Sequence, residues 1–190
     1  MNVMAAFCLS VCLAIPAFAN PAFAIPAFAN PAEGQVIAIH SISGSGVGPS
    51  IGAITALDTD QGLVIEPELN GLSPGEYGFH LHANGSCDPG TQEGIPVAGL
   101  AAGGHWDPDQ SGRHLGPFGD GHRGDLSRLI VNDDGQTTVA VVAPRLQVAD
   151  LQGRALILHS GGDTYSDEPP LGGGGSRMAC GLADVSISAA

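Results

Sequence analysis

The chain has 190 residues and a formal net charge of −13 at pH 7, with 19 acidic residues against six basic ones, all of them arginine. Clustered Lys and Arg supply the affinity of proteins for nucleic acid and for anionic membrane surfaces, so this charge balance argues against both as partners. The length suffices for one domain with its own hydrophobic core and is short for two.

The N-terminal segment has the features of a secretory signal peptide with a duplicated cleavage region. Residues 1–29 carry no charged side chain, and the apolar run "MNVMAAFCLSVCLAIPAFA" ends in a small-x-small pattern. Residues 15–24 are then repeated as "IPAFANPA" at 25–32, and prolines interrupt the run before it could span a membrane. The candidate last residues of the leader are Ala19, Ala24 and Ala29. We predict a signal peptide within 1–29, ending between positions 19 and 29, with a disordered Pro/Ala linker as the alternative.

The four cysteines divide between this leader and the remaining domain, residues 30–190. Cys8 and Cys12 would be removed with the leader, which leaves Cys87 and Cys180. An even pair of cysteines in an exported chain predicts one disulfide, with two buried free thiols as the alternative.

Short β-rich runs separated by Gly, Pro, Asn and Asp follow one another along the domain. We predict eight strands, at residues 35–42, 51–58, 62–69, 75–82, 126–133, 137–144, 154–161 and 181–188. The sequence "NDDG" at 132–135 predicts a hairpin turn between two of them. Eight short strands in one domain predict an all-β fold, an eight-stranded antiparallel Greek-key sandwich or barrel.

Two long segments lack a strand pattern. Residues 84–125 are rich in Gly, Pro and Asp, and residues 160–177 form a second, Gly-rich loop. A loop as long as the first in a compact domain is usually functional.

Two histidines lie one residue apart in the fourth predicted strand. His80 and His82 therefore leave the same face of that strand and could grip a metal ion together. Two solvent-facing polar positions are the alternative.

The long loop holds three further histidines and a nearby carboxylate. His105, His114, His122 and Asp125 are a complete tetrahedral set for zinc, and the surrounding glycines allow the loop to fold back over an ion. A polar surface loop that is merely rich in histidine is the alternative.

The remaining two histidines lie in other predicted strands. His159 ends the run "ALILH" and is either a core residue or a ligand of a second metal site. His40, in "IAIHS", has no metal partner nearby in the sequence, and we interpret it as structural.

Six motifs follow in order: "GFHLH", "GGHWDP", "HLGP", "GHRGDL", "LILHSGGD" and "LGGGGSRMACG". Together they resemble copper/zinc superoxide dismutase of the bacterial periplasmic type, from about residue 34 to the C-terminus. The resemblance implies that the chain converts superoxide to dioxygen and hydrogen peroxide with a redox-cycling copper ion, and protects against oxidative stress outside the cytoplasm. The periplasm is the implied compartment, with secretion or surface attachment as less favoured alternatives.

The family pattern, carried over by position, also implies one copper and one zinc ion per chain. The implied copper ligands are His80, His82, His105 and His159. The implied zinc ligands are His105, His114, His122 and Asp125. The ring of His105 would be shared and would bridge the two ions.

The resemblance implies roles for residues around the metals as well. Arg177 would guide the superoxide anion beside the copper, with a structural bond to loop carbonyls as the alternative. Asp167, with Asp163 as the second choice, would link copper and zinc ligands, and the family disulfide would join Cys87 to Cys180. No membrane partner is expected once the signal peptide is removed, and a homodimer is one expectation for the assembly.

Two functions from other classes compete with this interpretation. A β-sandwich that buffers copper and zinc without turnover would need the same ligands, although no ligand position is missing here. A zinc hydrolase would need an open metal position and a general base, and no H-E-x-x-H motif is present.

Overall fold

The computed structural model describes residues 34–137 and 139–183. The predicted leader with its cleavage sites and its two cysteines lies outside these ranges. The described strands are β1 (Gln35–Ser43), β2 (Gly46–Thr59), β3 (Gly62–Leu69), β4 (Gly75–Tyr77), β5 (Phe79–His82), β6 (Gly90–Gln92), β7 (Ile95–Val97), β8 (Leu129–Val131), β9 (Val141–Ala143), β10 (Ala155–His159) and β11 (Arg177–Leu182). Three short 3₁₀ turns lie at Leu100–Ala102, Val148–Leu151 and Pro170–Gly173. Within the described ranges, no helix is long and apolar enough to span a bilayer.

Seven of these strands form one curled antiparallel sheet, in the order β5-β10-β11-β1-β2-β3-β9. Strands β4 and β8 form a second pair, and β6 and β7 a third. The predicted all-β antiparallel fold is therefore confirmed.

The alternation of apolar and polar residues along the strands explains which side chains form the core. In β3, Leu63 and Ile65 are fully buried while Glu66 and Glu68 between the inward positions are exposed. The neighbouring strand β2 contributes Ile54 from its inward face, also fully buried. A period of two with one apolar face is the pattern of a sheet that covers a core on one side.

The predicted strand over residues 75–82 is divided in the structure. Tyr77 ends β4, which pairs with β8, whereas Phe79 begins β5 at the edge of the large sheet. Gly78 lies between them: its N–H donates to the Gly161 carbonyl (2.7 Å) and its carbonyl accepts from His159 N–H (2.8 Å). The chain thus changes sheets at Gly78, which a continuous β-rich run cannot reveal.

Other predicted boundaries were wrong. The segment 84–125, predicted to be free of strands, contains the β6–β7 hairpin, whose turn places Glu93 and Gly94 at φ 52° and 83°. Both angles are positive, as a two-residue type I′ turn requires, and the usual Asn-Gly signal is absent. The last strand runs over Arg177–Leu182 rather than from 181. The described chain contains eleven strands, because the run 75–82 is divided and the long loop contributes the β6–β7 hairpin.

The "NDDG" turn is confirmed, although the strands on either side of it, β8 and β9, pair in different sheets rather than with each other. Asn132 accepts from Gly135 N–H and donates to the Gln136 carbonyl, both at 3.0 Å. Val131 and Thr137 face each other across the turn.

The predicted disulfide is also confirmed. Cys87 and Cys180 are bonded, with a Cα–Cα distance of 5.8 Å and a sequence separation of 93. Closing a loop of this length stabilises the fold by about 4–5 kcal/mol on the chain-entropy model. The bond ties the segment after His82 to β11, an interior strand of the large sheet.

Candidate metal centre

The edge strand β5 carries the first two histidines, and the long loop lies along its free edge. His80 and His82 are both buried, at 0% and 1% exposure. Isolated bridges pair His80 with Asp125 and His82 with His105. The loop is held there because Trp106 N–H donates to the Leu81 carbonyl (2.8 Å). The edge of the sheet thus brings loop and strand histidines together.

Three loop histidines converge on one carboxylate oxygen. The Nδ1 atoms of His105, His114 and His122 lie 2.9, 2.9 and 3.2 Å from Asp125 Oδ1. A tetrahedral zinc ion with ligands about 2.0–2.1 Å away needs ligand atoms about 3.3 Å from one another. The His114 Nδ1 contact is close but lacks hydrogen-bond geometry, and that buried nitrogen has no hydrogen-bond partner within the described chain. These four side chains therefore fit a zinc ion.

The local hydrogen bonds hold Asp125 in its ionised form. Its Oδ2 accepts from Leu115 N–H at 3.0 Å, which leaves Oδ1 for the histidines. Burial alone would raise the pKa of the Asp125 carboxyl, but the hydrogen bond with His105 and the close contact with His114 hold this pKa well below its usual range. Burial likewise opposes charge on His114, yet contacts with Asp125 and Asp163 outweigh it and raise the His114 pKa to about 9.

A second group forms on the other side of His105. His82 Nε2 and His159 Nε2 face each other at 3.3 Å. In each ring, Nδ1 is hydrogen-bonded to a backbone carbonyl. The partner of His82 is the Gly103 carbonyl (2.9 Å), and that of His159 is the Gly175 carbonyl (3.2 Å). Because Nδ1 is then the donor, both Nε2 atoms carry lone pairs, and two lone pairs cannot hydrogen-bond to each other. A cation between them satisfies both.

His80 completes this second group. Its Nε2 contacts Asp163 Oδ2 at 2.7 Å, while its buried Nδ1 has no hydrogen-bond partner in the described chain. The ring centroids of His80 and His105 are 4.0 Å apart. One ligand atom from each of the four histidines lies within 4.8 Å of the others; the group is His80, His82, His105 and His159. The orphaned nitrogen and the all-imidazole donor set fit a copper ion.

The environment keeps the four histidines of this second group neutral, which metal binding requires. Burial is the main cause: it lowers the pKa of His80 to about 3, of His82 to about 2 and of His159 to about 4. Burial lowers the pKa of His105 as well.

The carboxylate that joins the two groups is Asp163, so the expectation for Asp167 was wrong. Asp163 Oδ2 lies 2.7 Å from His80 Nε2, and its Oδ1 lies 2.8 Å from His114 Nε2. Asp167 instead accepts from the backbone N–H of His114 at 3.0 Å. Asp163 follows the end of β10 closely and is buried, whereas Asp167 lies farther along the loop and is exposed. The sequence signal for Asp163 was its place in the motif "LILHSGGD", which did not by itself decide between Asp163 and Asp167.

Neighbouring side chains hold Asp163 in place. Tyr165 N–H donates to Asp163 Oδ1 at 2.7 Å, and Arg128 Nη1 donates to the Asp163 carbonyl at 2.9 Å. The Tyr165 hydroxyl accepts from Arg128 N–H at 2.9 Å. These contacts tie the Gly-rich loop to the segment before β8.

A cavity of about 220 Å³ opens beside the second group. His82, His105 and His159 line it together with Leu171 and Arg177. The Arg177 guanidinium donates to the carbonyls of Gly99 and Gly103, so both interpretations of this residue, a bond to loop carbonyls and a charge beside the metal group, agree with its position. These two hydrogen bonds hold the guanidinium so that it faces the cavity.

His40 stands apart from both groups, as expected from the sequence. It is half-buried in β1, and its Nδ1 contacts the Gly48 carbonyl at 3.2 Å. It belongs to none of the described His/Asp groups that could hold a metal ion.

Comparison with known proteins agrees with this geometry. The family model of copper/zinc superoxide dismutase matches residues 51–183. Superoxide dismutase [Cu-Zn] of Escherichia coli (strain K12) is 51% identical over 153 residues, which are 80% of this chain and 88% of that protein.

Solved structures give the same result. The Cu/Zn superoxide dismutase from Brucella abortus superposes with a TM-score of 0.78 at 45% identity, over 80% of this chain and 100% of that one. The monomeric copper, zinc superoxide dismutase from Salmonella enterica superposes with a TM-score of 0.72 at 49% identity, over 80% and 99% of the two chains. With a family model covering most of the chain and relatives near 50% identity, the chain belongs to the copper/zinc superoxide dismutase family.

Proposed function

We propose that this chain is an exported superoxide dismutase in which His105 bridges a copper and a zinc ion. The proposed copper ligands are His80, His82, His105 and His159. The proposed zinc ligands are His105, His114, His122 and Asp125.

One observation carries this proposal: the His105 ring belongs to both ligand groups. Its Nδ1 lies 2.9 Å from Asp125 Oδ1, on the side of the zinc group. The opposite side of the ring lies among the other group, with centroids 4.0 Å from His80 and 5.1 Å from His82. A single imidazole with a nitrogen toward each group is suited to bridge two ions.

When bound, the copper ion supplies one-electron redox chemistry between successive superoxide molecules, and the redox-inert zinc ion fixes the geometry of the loop. Imidazole accommodates both oxidation states of copper, whereas thiolate would favour the reduced one. The two domain cysteines are bonded to each other and are not available as thiolate ligands.

Arg177 binds the substrate anion in this proposal. It lines the cavity with His82, His105 and His159, and its bonds to Gly99 and Gly103 fix its direction. A protein with a net charge of −13 repels anions at long range, so a local positive charge is needed at the entrance. Guidance of an anion by local positive potential is an established feature of this enzyme family.

His105 is the proton donor to the product in this proposal. Its ring lines the cavity, with Nδ1 on the side of Asp125 and the zinc ligands, so the zinc group would hold Nδ1 while Nε2 takes up and releases a proton. Backbone carbonyls fix the tautomers of the other two rings that line the cavity, His82 and His159, and Asp163 orients the His80 ring, which leaves His105 as the imidazole that exchanges a proton there.

The compartment and the assembly are part of the proposal. We infer a signal peptide within residues 1–29, a mature domain over 30–190 and a periplasmic enzyme that protects against extracytoplasmic oxidative stress, supported by the disulfide and by the relatives from Gram-negative bacteria. A homodimer stays a prediction, and sedimentation of the mature protein tests it.

Replacing the bridging residue tests the proposal. His105→Ala should reduce the rate of superoxide disappearance to that of the control without protein, while His40→Ala, which removes a histidine outside both groups, should keep the wild-type rate. His159→Ala should lose copper and retain zinc. Full activity in His105→Ala protein would refute the proposal, and a wild-type protein that binds both metals without turnover would make it a metal buffer instead.

A further inference from the structure

We infer that Arg145 is a positioning residue for the zinc site: its guanidinium clamps the loop that carries the zinc ligands. This inference rests on the proposed zinc ligands and goes beyond them, because Arg145 contacts none of their ligand atoms. The loop segment in question joins His114 to His122 and is rich in glycine.

The guanidinium spans the two ends of that segment. Arg145 Nη1 donates to the Gly121 carbonyl (2.8 Å) and Nη2 to the His122 carbonyl (2.6 Å). On the other end, Nε and Nη2 reach the carbonyls of Pro117 (3.4 Å) and Gly116 (3.5 Å). The Arg145 side chain thus connects residues 116 and 117, just after His114, to His122.

The Gly121 carbonyl in particular needs this donor. All four residues of the clamp, Gly116, Pro117, Gly121 and His122, are buried. The Gly121 carbonyl has no other hydrogen-bond partner between residues 34 and 137 or 139 and 183. A buried carbonyl without a donor is destabilised by the loss of hydration, so the loop would open to water without Arg145.

The loop offers little internal order of its own. Gly116 has φ 70°, and the Gly119 N–H to Gly116 carbonyl bond is long, at 3.4 Å. Phe118, the large apolar side chain of the segment, is 75% exposed and contributes little to the core. The segment therefore depends on contacts from outside for its shape.

Arg145 itself is anchored on the seven-stranded sheet. It lies two residues after β9, which pairs with β3 through Leu63 and Ala143. The next residue, Leu146, is 1% exposed in the core, and its N–H donates to the Ala143 carbonyl at 3.1 Å. The Arg145 side chain therefore links the rigid end of a strand to a glycine-rich loop.

Arg145 does not serve as an ordinary surface ion pair. No carboxylate in the described ranges 34–137 and 139–183 pairs with its guanidinium within 4.0 Å. Arg123 provides the contrast: it lies beside His122 in the same loop but pairs with Asp109 at 2.8 Å, with both side chains substantially exposed. Arg123 is therefore a matched control for the loss of one positive charge near the zinc ligands.

The test measures zinc retention in Arg145→Gln, Arg145→Lys and Arg123→Gln proteins. The copper- and zinc-loaded proteins are placed in excess EDTA, and the rate of zinc release is followed with a zinc indicator. Removing groups that orient metal ligands typically weakens metal affinity 10–100-fold. Arg145→Gln protein should release zinc about 10–100 times faster than wild type. The release rate of Arg145→Lys protein should lie between those of wild type and Arg145→Gln, because one ammonium group cannot span both loop ends. The release rate of Arg123→Gln protein should stay within about twofold of wild type.

A spectroscopic measurement separates positioning from general destabilisation. Co²⁺ bound in place of zinc reports ligand geometry through its visible absorption, which a loss of fold stability alone would not change at temperatures below unfolding. We expect altered Co²⁺ bands in Arg145→Gln protein and a return toward the wild-type bands in Arg145→Lys. Wild-type zinc release with wild-type bands in Arg145→Gln protein, or equal effects in Arg123→Gln protein, would overturn the inference. Failure of the wild-type protein to retain zinc would instead overturn the proposed function.

Discussion

Asp163→Asn tests how the two ligand groups are coupled. The wild-type carboxylate accepts from His80 (2.7 Å) and from His114 (2.8 Å), one ring on each oxygen. An amide keeps one accepting oxygen and presents an NH₂ group to the other ring, so one charge-assisted bond of about 1.5–3 kcal/mol is lost. This loss corresponds to a metal affinity about 10–100-fold lower.

Zinc should be affected more than copper. His80 is fixed by the strand β5, and two other copper ligands, His82 and His159, keep their bonds to backbone carbonyls. His114 lies on a loop and relies on Asp163 for the direction of its ring. Imidazole sites also hold Cu²⁺ more tightly than Zn²⁺.

The assay is the zinc and copper content per chain after dialysis against graded chelator concentrations. Asp167→Asn is the control, because an amide oxygen can still accept from the His114 backbone N–H. We expect Asp163→Asn protein to lose zinc at chelator concentrations about 10–100-fold lower than wild type, with Asp167→Asn close to wild type. The opposite order, with zinc retained in Asp163→Asn and lost in Asp167→Asn, would refute the reasoning.

Three further predictions concern pH, the substrate cavity and the disulfide. The folded-state pKa values of His80, His82 and His159 are lowered to about 3, 2 and 4. The unfolded chain therefore binds more protons below about pH 6.5, and metal-free protein should lose about 2 kcal/mol per histidine between pH 7 and 5. The raised pKa of His114, about 9, contributes stability that is fully present below pH 6.5 and is lost only as pH rises through 9. Most of this contribution is already present at pH 7, so it offsets the loss only in part. Urea titrations at both pH values check the sign, and constant or increased stability toward pH 5 would contradict it. Arg177→Ala should slow superoxide removal roughly tenfold at low ionic strength, which is equivalent to about 1.4 kcal/mol of lost attraction for the anion. The metal content should be unchanged, and the rate should depend less on salt concentration. An unchanged rate in stopped-flow kinetics would exclude a role in substrate binding. Replacing both Cys87 and Cys180 by Ser should lower the free energy of unfolding of metal-free protein by about 4–5 kcal/mol, as measured by urea denaturation, and a change below about 1 kcal/mol would contradict the loop-closure estimate.

The parts of the fold that follow local patterns were predictable from the sequence. Strands β1 to β3 were located to within a few residues, apart from the earlier start of β2, because one apolar face alternates with polar positions along them. The β6–β7 hairpin was missed because Glu93 and Gly94 make its turn without the usual Asn-Gly signal. Local patterns also cannot show that Gly78 switches the chain between sheets.

The site was predictable where the chemistry lies in side chains. The sequence pointed to the seven ligand candidates, and the structure brings them into two adjoining groups that share His105. The choice between Asp163 and Asp167 depends on how a glycine-rich loop folds back, which spacing does not encode. The role of Arg145 could not be predicted, because its partners are backbone carbonyls, which every residue carries whatever its side chain.

A crystal structure of the oxidised protein loaded with copper and zinc, with each element located by its anomalous scattering, tests the central claim most directly. The account predicts that each nitrogen of the His105 ring lies about 2.0–2.1 Å from a different ion, zinc at Nδ1 and copper at Nε2. A His105 ring in contact with only one ion, or with neither, would contradict it.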